Sequence, residues 1–391
     1  MISPHFSSFL MLSDEQILEA HRKFKGKVSV ELTTPIASQD DLALAYTPGV
    51  AVASSVIAGD KNRVWELTGR RNRVAIVSDG TAVLGLGNIG PEAAMPVMEG
   101  KAALFKQFAG VDAFPVCLAT QDTDEIIQTV KALAPSFGGI NLEDISAPRC
   151  FEIEETLKRE LSIPVFHDDQ HGTAVVLLAA LINAFKLTKR SFESTRIVIN
   201  GAGAAGTAIA RILLSQGAKN ILILDSKGII HRKRSDLNSE AKTFLAAATN
   251  PENVEGSLED AMKNADVFIG VSAPGLVNAS MIQSMNDDPI IFAMANPDPE
   301  IMPEEAKKAG AAIVATGRSD YPNQVNNILA FPGIFRAALD AEAEDITEDM
   351  KLAAAHALSE CVNTLSPEKI LPDPLEEGIA QKVAEAVTKA V

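Results

Sequence analysis

The sequence predicts an α/β protein of two domains, each built on a parallel sheet. Three observations carry this. From residue 73 onward, short apolar runs alternate with helical patterns, the signature of βαβ units. The alternation stops at a long apolar helical stretch near 172–186 and restarts at 196. Directly after the restart, a glycine-rich loop lies between a strand and a helix, which marks the second domain as Rossmann-type. We place an N-terminal α/β domain at residues 1–175. A C-terminal dinucleotide-binding domain with trailing helices follows at 176–391.

In chain order, Ser13 opens a helix, with Gln16 at the capping-box position. The runs Arg73–Ser78, 111–119, Gly139–Leu142 and 163–166 read as strands. Helical patterns at 92–109, 123–134 and 150–160 fall between them. The helix expected at 172–186 is rich in Ala, Val and Leu. Its apolar part, 172–185, is about four residues short of a bilayer span and contains Asn183. The strand Arg196–Asn200, a helix at 204–216 and the strand Asn220–Asp225 come next. Later strands fall at 265–271, 289–295 and 311–315, and the chain is mostly helical beyond about residue 332.

The 391 residues carry 35 Lys and Arg against 51 Asp and Glu, a formal charge of −16. The excess is spread along the chain and argues against nucleic acid or an anionic membrane as partner, since both reward a basic face. Cys117, Cys150 and Cys361 show no metal-binding spacing and read as reduced thiols of a cytoplasmic protein. The N-terminus lacks the basic and cleavage regions of a signal peptide. Tyrosines are scarce, only Tyr46 and Tyr321, so each draws attention.

Gly201-Ala202-Gly203-Ala204-Ala205-Gly206 has the full dinucleotide context. The first glycine turns the chain, the second admits a pyrophosphate, and the third lets helix and strand pack closely. The helix N-terminus adds N–H groups and positive potential. Asp225 ends the next strand, where an acid accepts from the adenosine ribose and favours NAD. Ser226, Lys227 and the run His231-Arg232-Lys233-Arg234 leave NADP open. The second match, Gly85-Leu86-Gly87-Asn88-Ile89-Gly90, lies seven residues beyond its strand and reads as a tight loop or a cleft wall.

Two acidic pairs, Glu143-Asp144 and Asp168-Asp169, follow strands at what would be the carboxyl edge of the first sheet. Carboxylates converging there need a cation, and hard oxygen ligands suit Mg²⁺ or Mn²⁺. His167 and His171 flank the second pair and leave a zinc site as the competing reading. Lys101 interrupts an apolar helix face. Tyr46 lies in a turn-forming run. Read alone, Lys101 reads first as a surface lysine and Tyr46 as a packing residue.

Together the motifs resemble malic enzyme of the small-subunit prokaryotic type. They are Tyr46-Thr47-Pro48-Gly49-Val50-Ala51, Ser78-Asp79-Gly80 with Gly85-Leu86-Gly87-Asn88, Glu99-Gly100-Lys101, Asn141-Leu142-Glu143-Asp144 and Phe166-His167-Asp168-Asp169-Gln170-His171-Gly172-Thr173. The glycine loop at 201–206, Asn296-Pro297, and Asn326-Asn327 before Phe331-Pro332-Gly333 complete the series. The resemblance implies oxidative decarboxylation of (S)-malate to pyruvate and CO₂ with NAD, or NADP, and a divalent metal. It implies Lys101 as general base, Tyr46 as the acid that protonates the enol carbon, and Asp168 beside Lys101. Glu143, Asp144 and Asp169 are the implied metal ligands, and Asn296, Asn326 and Asn327 hold substrate or the nicotinamide end. A homodimer or higher homo-oligomer is implied as well. One departure stands out: where larger relatives carry an arginine for a malate carboxylate, this chain has Ala82. Three rivals remain at this stage: a 2-hydroxyacid dehydrogenase that stops at the ketoacid, a malolactic-type relative that yields lactate, and a dinucleotide-sensing module without catalysis.

Overall fold

Helix α1 (Asp14–Phe24) starts with the expected capping box: Gln16 N donates to Ser13 Oγ at 3.3 Å and Ser13 N to Gln16 Oε1 at 2.7 Å. The computed structural model describes residues 13–83, 85–237 and 239–391, so the reading of the first twelve residues lies outside it. Two helices that the sequence did not announce come next, α2 (Gln39–Ala45) and α3 (Gly49–Gly59), separated by the turn at Tyr46, Thr47 and Pro48. The short α4 (Val64–Leu67) precedes the first sheet.

That sheet is built from β1 (Arg73–Ser78), β2 (Asp112–Cys117), β3 (Gly139–Leu142) and β4 (Val165–His167). The helices between them are α5 (Pro91–Ala109), α6 (Thr123–Leu133) and α7 (Arg149–Glu160). All pairings are parallel and the order is β2-β1-β3-β4. β1 and β3 are buried along nearly their whole length, as strands covered on both faces must be, hence their continuous apolar runs.

Helix α8 (Asp168–Thr188) leads to the second sheet. It begins four residues earlier than expected. His167 both ends β4 and caps the helix, and Asp168 and Asp169 enter its first turn, where negative charge complements the helix dipole. Most of α8 is buried, which accounts for its apolar composition.

The second sheet comprises β5 (Arg196–Asn200), α9 (Ala204–Ser215), β6 (Asn220–Asp225), β7 (Gly228–Ile229), α10 (Glu240–Ala248), α11 (Leu258–Met262), β8 (Val267–Gly270), α12 (Ala279–Gln283), β9 (Ile290–Ala293), α13 (Pro303–Lys308) and β10 (Ile313–Thr316). Its strand order is β10-β9-β8-β5-β6-β7, parallel except for β7 against β6. The chain closes with α14 (Phe331–Asp340), α15 (Glu348–Glu360) and α16 (Ile379–Thr388).

One core runs from β1 and α5 through α8 into β5, β6 and the last helices. Phe105 on α5 meets Phe331 and Phe335 on α14 at 4.7 and 5.3 Å between ring centres, and Phe166 meets Phe335 at 5.8 Å. The C-terminal helices are thereby pinned against the first sheet. In both sheets the strand order reverses at one point, between β1 and β3 and between β5 and β8. Open α/β sheets bind ligands at the carboxyl ends of such strands.

Candidate active site

β3 ends at Leu142, and Glu143 and Asp144 follow it. Asp144 has φ +54, the left-handed region that few side chains other than Asn and Asp tolerate. Asp168 and Asp169 stand beside them at the start of α8. Helix α5 supplies Lys101 from its buried face, next to Met98, Ala102 and Phe105.

Lys101 Nζ lies 2.6 Å from Asp168 Oδ2 and 2.9 Å from Glu143 Oε1. The Phe331 ring centre is 4.3 Å away. Lys101 is 7% exposed and Asp168 fully buried. Burial works against the ammonium, but attraction by Asp168, Glu143 and Asp169 outweighs it and raises its proton affinity. Burial pushes Asp168 up to about 6, against the pull of Lys101.

Glu143, Asp144 and Asp169 each offer a carboxylate oxygen within 4.8 Å of the others. Burial raises the pKa of all three, and repulsion from neighbouring carboxylates adds to it. Asp144 N donates to Asp169 Oδ2 at 2.8 Å, and Asn141 Nδ2 to Glu143 Oε2 at 2.7 Å. Asp144 Oδ2 and Asp168 Oδ1 are buried without any partner. Three converging carboxylates, one of them with a buried oxygen left unbonded at Asp144 Oδ2, fit a hard divalent cation. His171 is not turned to this cluster: its Nε2 lies 2.9 Å from Glu154 Oε1.

Among the described residues, no hydrogen bond or ion pair ties Tyr46 to these groups. It caps α2 and is 66% exposed. Asn327 comes close: a methyl group at Gly172 would fall 3.1 Å from Asn327 Cβ and 1.9 Å from Asp168 Oδ1. Asn326 caps the turn that carries Asn327, accepting from Ile328 N at 3.1 Å. Asn296 follows β9 and meets the loop of the other glycine match, since a side chain at Gly85 would collide with Asn296 O at 2.7 Å. That loop therefore forms a wall beside Asn296.

Gly201, Ala202 and Gly203 border a cleft of about 890 Å³ that also reaches Asp225, Lys242 and Ser272. Gly206 is obligatory, because a Cβ there would sit 1.8 Å from Gly201 O. Gly203, the cap of α9, faces open space instead. The cradle fits a pyrophosphate against the helix N-terminus. Asp225 is less free than its position suggested. Arg234 Nη1 and Nη2 donate to it at 2.9 and 3.0 Å, Lys242 Nζ at 2.7 Å and Lys227 N at 2.9 Å. Those four bonds use the acceptor capacity of a carboxylate, so a ribose hydroxyl must replace one of them.

Residues 25–158 match the family description "Malic enzyme, N-terminal domain", and residues 170–391 match "Malic enzyme, NAD binding domain". The chain belongs to the malic enzyme family. It is 55% identical to the bifunctional malic/malolactic enzyme of Bacillus subtilis over 96% of this chain and 92% of that one. It is 57% identical to the NAD-dependent malic enzyme of Geobacillus stearothermophilus over 93% of this chain and 76% of that one. The crystal structure of the NAD-dependent malic enzyme of Thermotoga maritima superposes with a TM-score of 0.93 at 50% identity, covering 96% of this chain and 99% of that one.

Within this malic enzyme fold, three residues near the site escaped the sequence reading. Phe331 was quoted only as part of a motif. Arg149 staples the loop after β1, donating from Nη2 to Asp79 at 2.8 Å and Thr81 at 3.0 Å, and from Nη1 to Gln121 O. Glu154 lies on the face of α7 that buries Cys150, Ile153 and Leu157, a carboxylate at an apolar helical spacing and so a signal that was available.

Proposed function

We propose that this site carries out the oxidative decarboxylation of (S)-malate to pyruvate and CO₂ with reduction of NAD(P)⁺. The observation that carries the reading is a buried lysine held between two carboxylates beside a cluster of three acids at the sheet edge. Glu143, Asp144 and Asp169 would hold Mg²⁺ or Mn²⁺. Bound there, the cation would supply counter-charge to the substrate and would offset the attraction that keeps Lys101 protonated. A bound nicotinamide would supply the hydride acceptor.

Lys101 takes the 2-hydroxyl proton on Nζ while Asp168 fixes that nitrogen in place. Loss of CO₂ from C4 leaves an electron pair toward C3, and Tyr46 delivers the proton that C3 needs. Asn296 and Asn327 hold substrate or the nicotinamide end, with Asn326 fixing the turn. Gly201, Ala202, Gly203, Ala204, Ala205 and Gly206 receive the pyrophosphate, and Asp225 faces the ribose. The three free thiols support a reducing, cytoplasmic setting.

The same proposal includes a homodimer. None of α1, α2 and α3 buries a residue, although Leu44 on α2, Val52 on α3 and Val30 in the link between α1 and α2 are apolar and 74%, 71% and 84% exposed. A second copy covering this face would bury it and receive Tyr46, which stands on the same surface. The test of the chemistry is Lys101→Ala. Its kcat should fall about 10²–10⁴-fold while NAD binds as before; an unchanged kcat removes Lys101 as the base.

A further inference from the structure

Glu154 takes part in no step above, yet it stands at the root of the acidic turn. It is 4% exposed, on α7. Its Oε1 accepts from His167 N at 3.0 Å, and its Oε2 accepts from Gln170 Nε2 at 3.1 Å. His171 Nε2 lies 2.9 Å from Oε1 and 3.0 Å from Oε2. Residues 167, 170 and 171 bracket Asp168 and Asp169 on both sides. One buried carboxylate thus gathers the end of β4 and the first turn of α8.

The arrangement is anchored from behind as well. His171 Nδ1 faces Lys351 Nζ at 3.4 Å, and Lys351 pairs with Glu348 on α15. The turn is therefore held by α7 on one side and α15 on the other. Burial pushes the Glu154 carboxyl up, but the His171 bond and the positive charge of its neighbours outweigh it and hold it low, while burial also lowers the proton affinity of His171 and His167. A buried anion survives its desolvation only where charge-assisted bonds of this kind compensate it. Glu154 does not itself belong to the group of carboxylates that converge on one point.

Resting on the metal reading of Asp169, we propose that Glu154 is a positioning residue for the divalent-metal site. It fixes the peptide 167–171 so that Asp169 meets Glu143 and Asp144 while Asp168 meets Lys101. Groups that orient metal ligands from the layer behind them commonly change metal affinity about 10–100-fold when replaced.

The test is Mn²⁺ binding to the full-length chain, read by electron paramagnetic resonance of free Mn²⁺ with no substrate present. Glu154→Gln keeps the shape of the side chain but sets an amide nitrogen where an oxygen accepted. Its Mn²⁺ affinity should fall about tenfold, with NAD affinity within twofold of the parent. Unchanged Mn²⁺ affinity overturns the proposal, and so does an equal loss of Mn²⁺ and NAD binding, which is what general damage produces. If Glu154→Gln does not fold, His171→Gln replaces it. Weaker Mn²⁺ binding at unchanged NAD affinity then supports the proposal, and unchanged Mn²⁺ binding overturns it. Asp169→Asn separates the two levels. If it binds Mn²⁺ like the parent, the metal reading fails. If it loses Mn²⁺ while Glu154→Gln keeps it, only the positioning role fails.

Discussion

Asp144 shows at the scale of one residue how this site trades stability for function. Its backbone is left-handed, its Oδ2 is buried without a partner, and Asp169 and Glu143 press on its charge. Burial, then those neighbours, put its folded pKa well above the usual carboxylate range. For an acid shifted upward, the stabilising condition is the protonated one. The contribution of Asp144 to the metal-free fold is therefore greatest below the unfolded pKa of about 3.9 and is lost as pH rises toward the folded value. Asp144→Asn should then melt about 2–5 °C higher than the parent at pH 8 without metal, and Mn²⁺ should no longer raise its melting temperature. A lower metal-free melting point would show that the cluster is not repulsive. The same shifts predict that Mn²⁺ binding releases protons and tightens from pH 6 to pH 8, which calorimetry in buffers of different ionisation enthalpy measures. Lys101 and the four acids were legible because each interrupts an apolar face or ends an apolar run. The resemblance set Asp168 beside Lys101, but nothing in the sequence announced Glu143 as the second partner, since it reaches Lys101 from the end of β3 across a long sequence separation.

Among the elements, the glycine loop between β5 and α9 lies where the sequence places it, between a strand and a helix. Two of its glycines serve different ends and should separate by experiment. Gly206→Ala places a methyl group against Gly201 O and should destabilise the fold by about 2 kcal/mol, read by denaturant titration. Gly203→Ala meets open space, so it should fold like the parent and yet bind NAD at least tenfold more weakly. Equal stability and equal NAD binding in both would remove the loop as the cofactor cradle. The long alternating elements were visible in the sequence because their apolar period is sustained. β7 has two residues and α2 has seven, too few to display a period, and α8 starts early because its first turn is acidic rather than apolar. Tertiary use of a residue overrides local pattern at these places.

For the whole molecule, the formal charge of −16 is ill-matched to a dianionic substrate. The proposed assignments resolve this locally: three converging acids would hold a dication, and the N-terminus of α9 would receive the pyrophosphate. The unburied face of α1, α2 and α3 is the other feature of that scale, and neither composition nor periodicity announced it. If Tyr46 acts in the neighbour's site, mixing Tyr46→Phe with Lys101→Ala chains should restore activity. Random re-pairing of equal amounts makes about half the dimers mixed, each with one intact site, so roughly a quarter of parental activity should return. No recovery would place both residues in one subunit's site or undo the role of Tyr46. The central claim is tested most directly by product balance. With (S)-malate, Mn²⁺ and NAD⁺ or NADP⁺, the account predicts equal amounts of reduced cofactor, CO₂ and pyruvate, all lost in Asp169→Asn. Oxaloacetate accumulating without CO₂, lactate without net reduced cofactor, or full turnover by Asp169→Asn would contradict it.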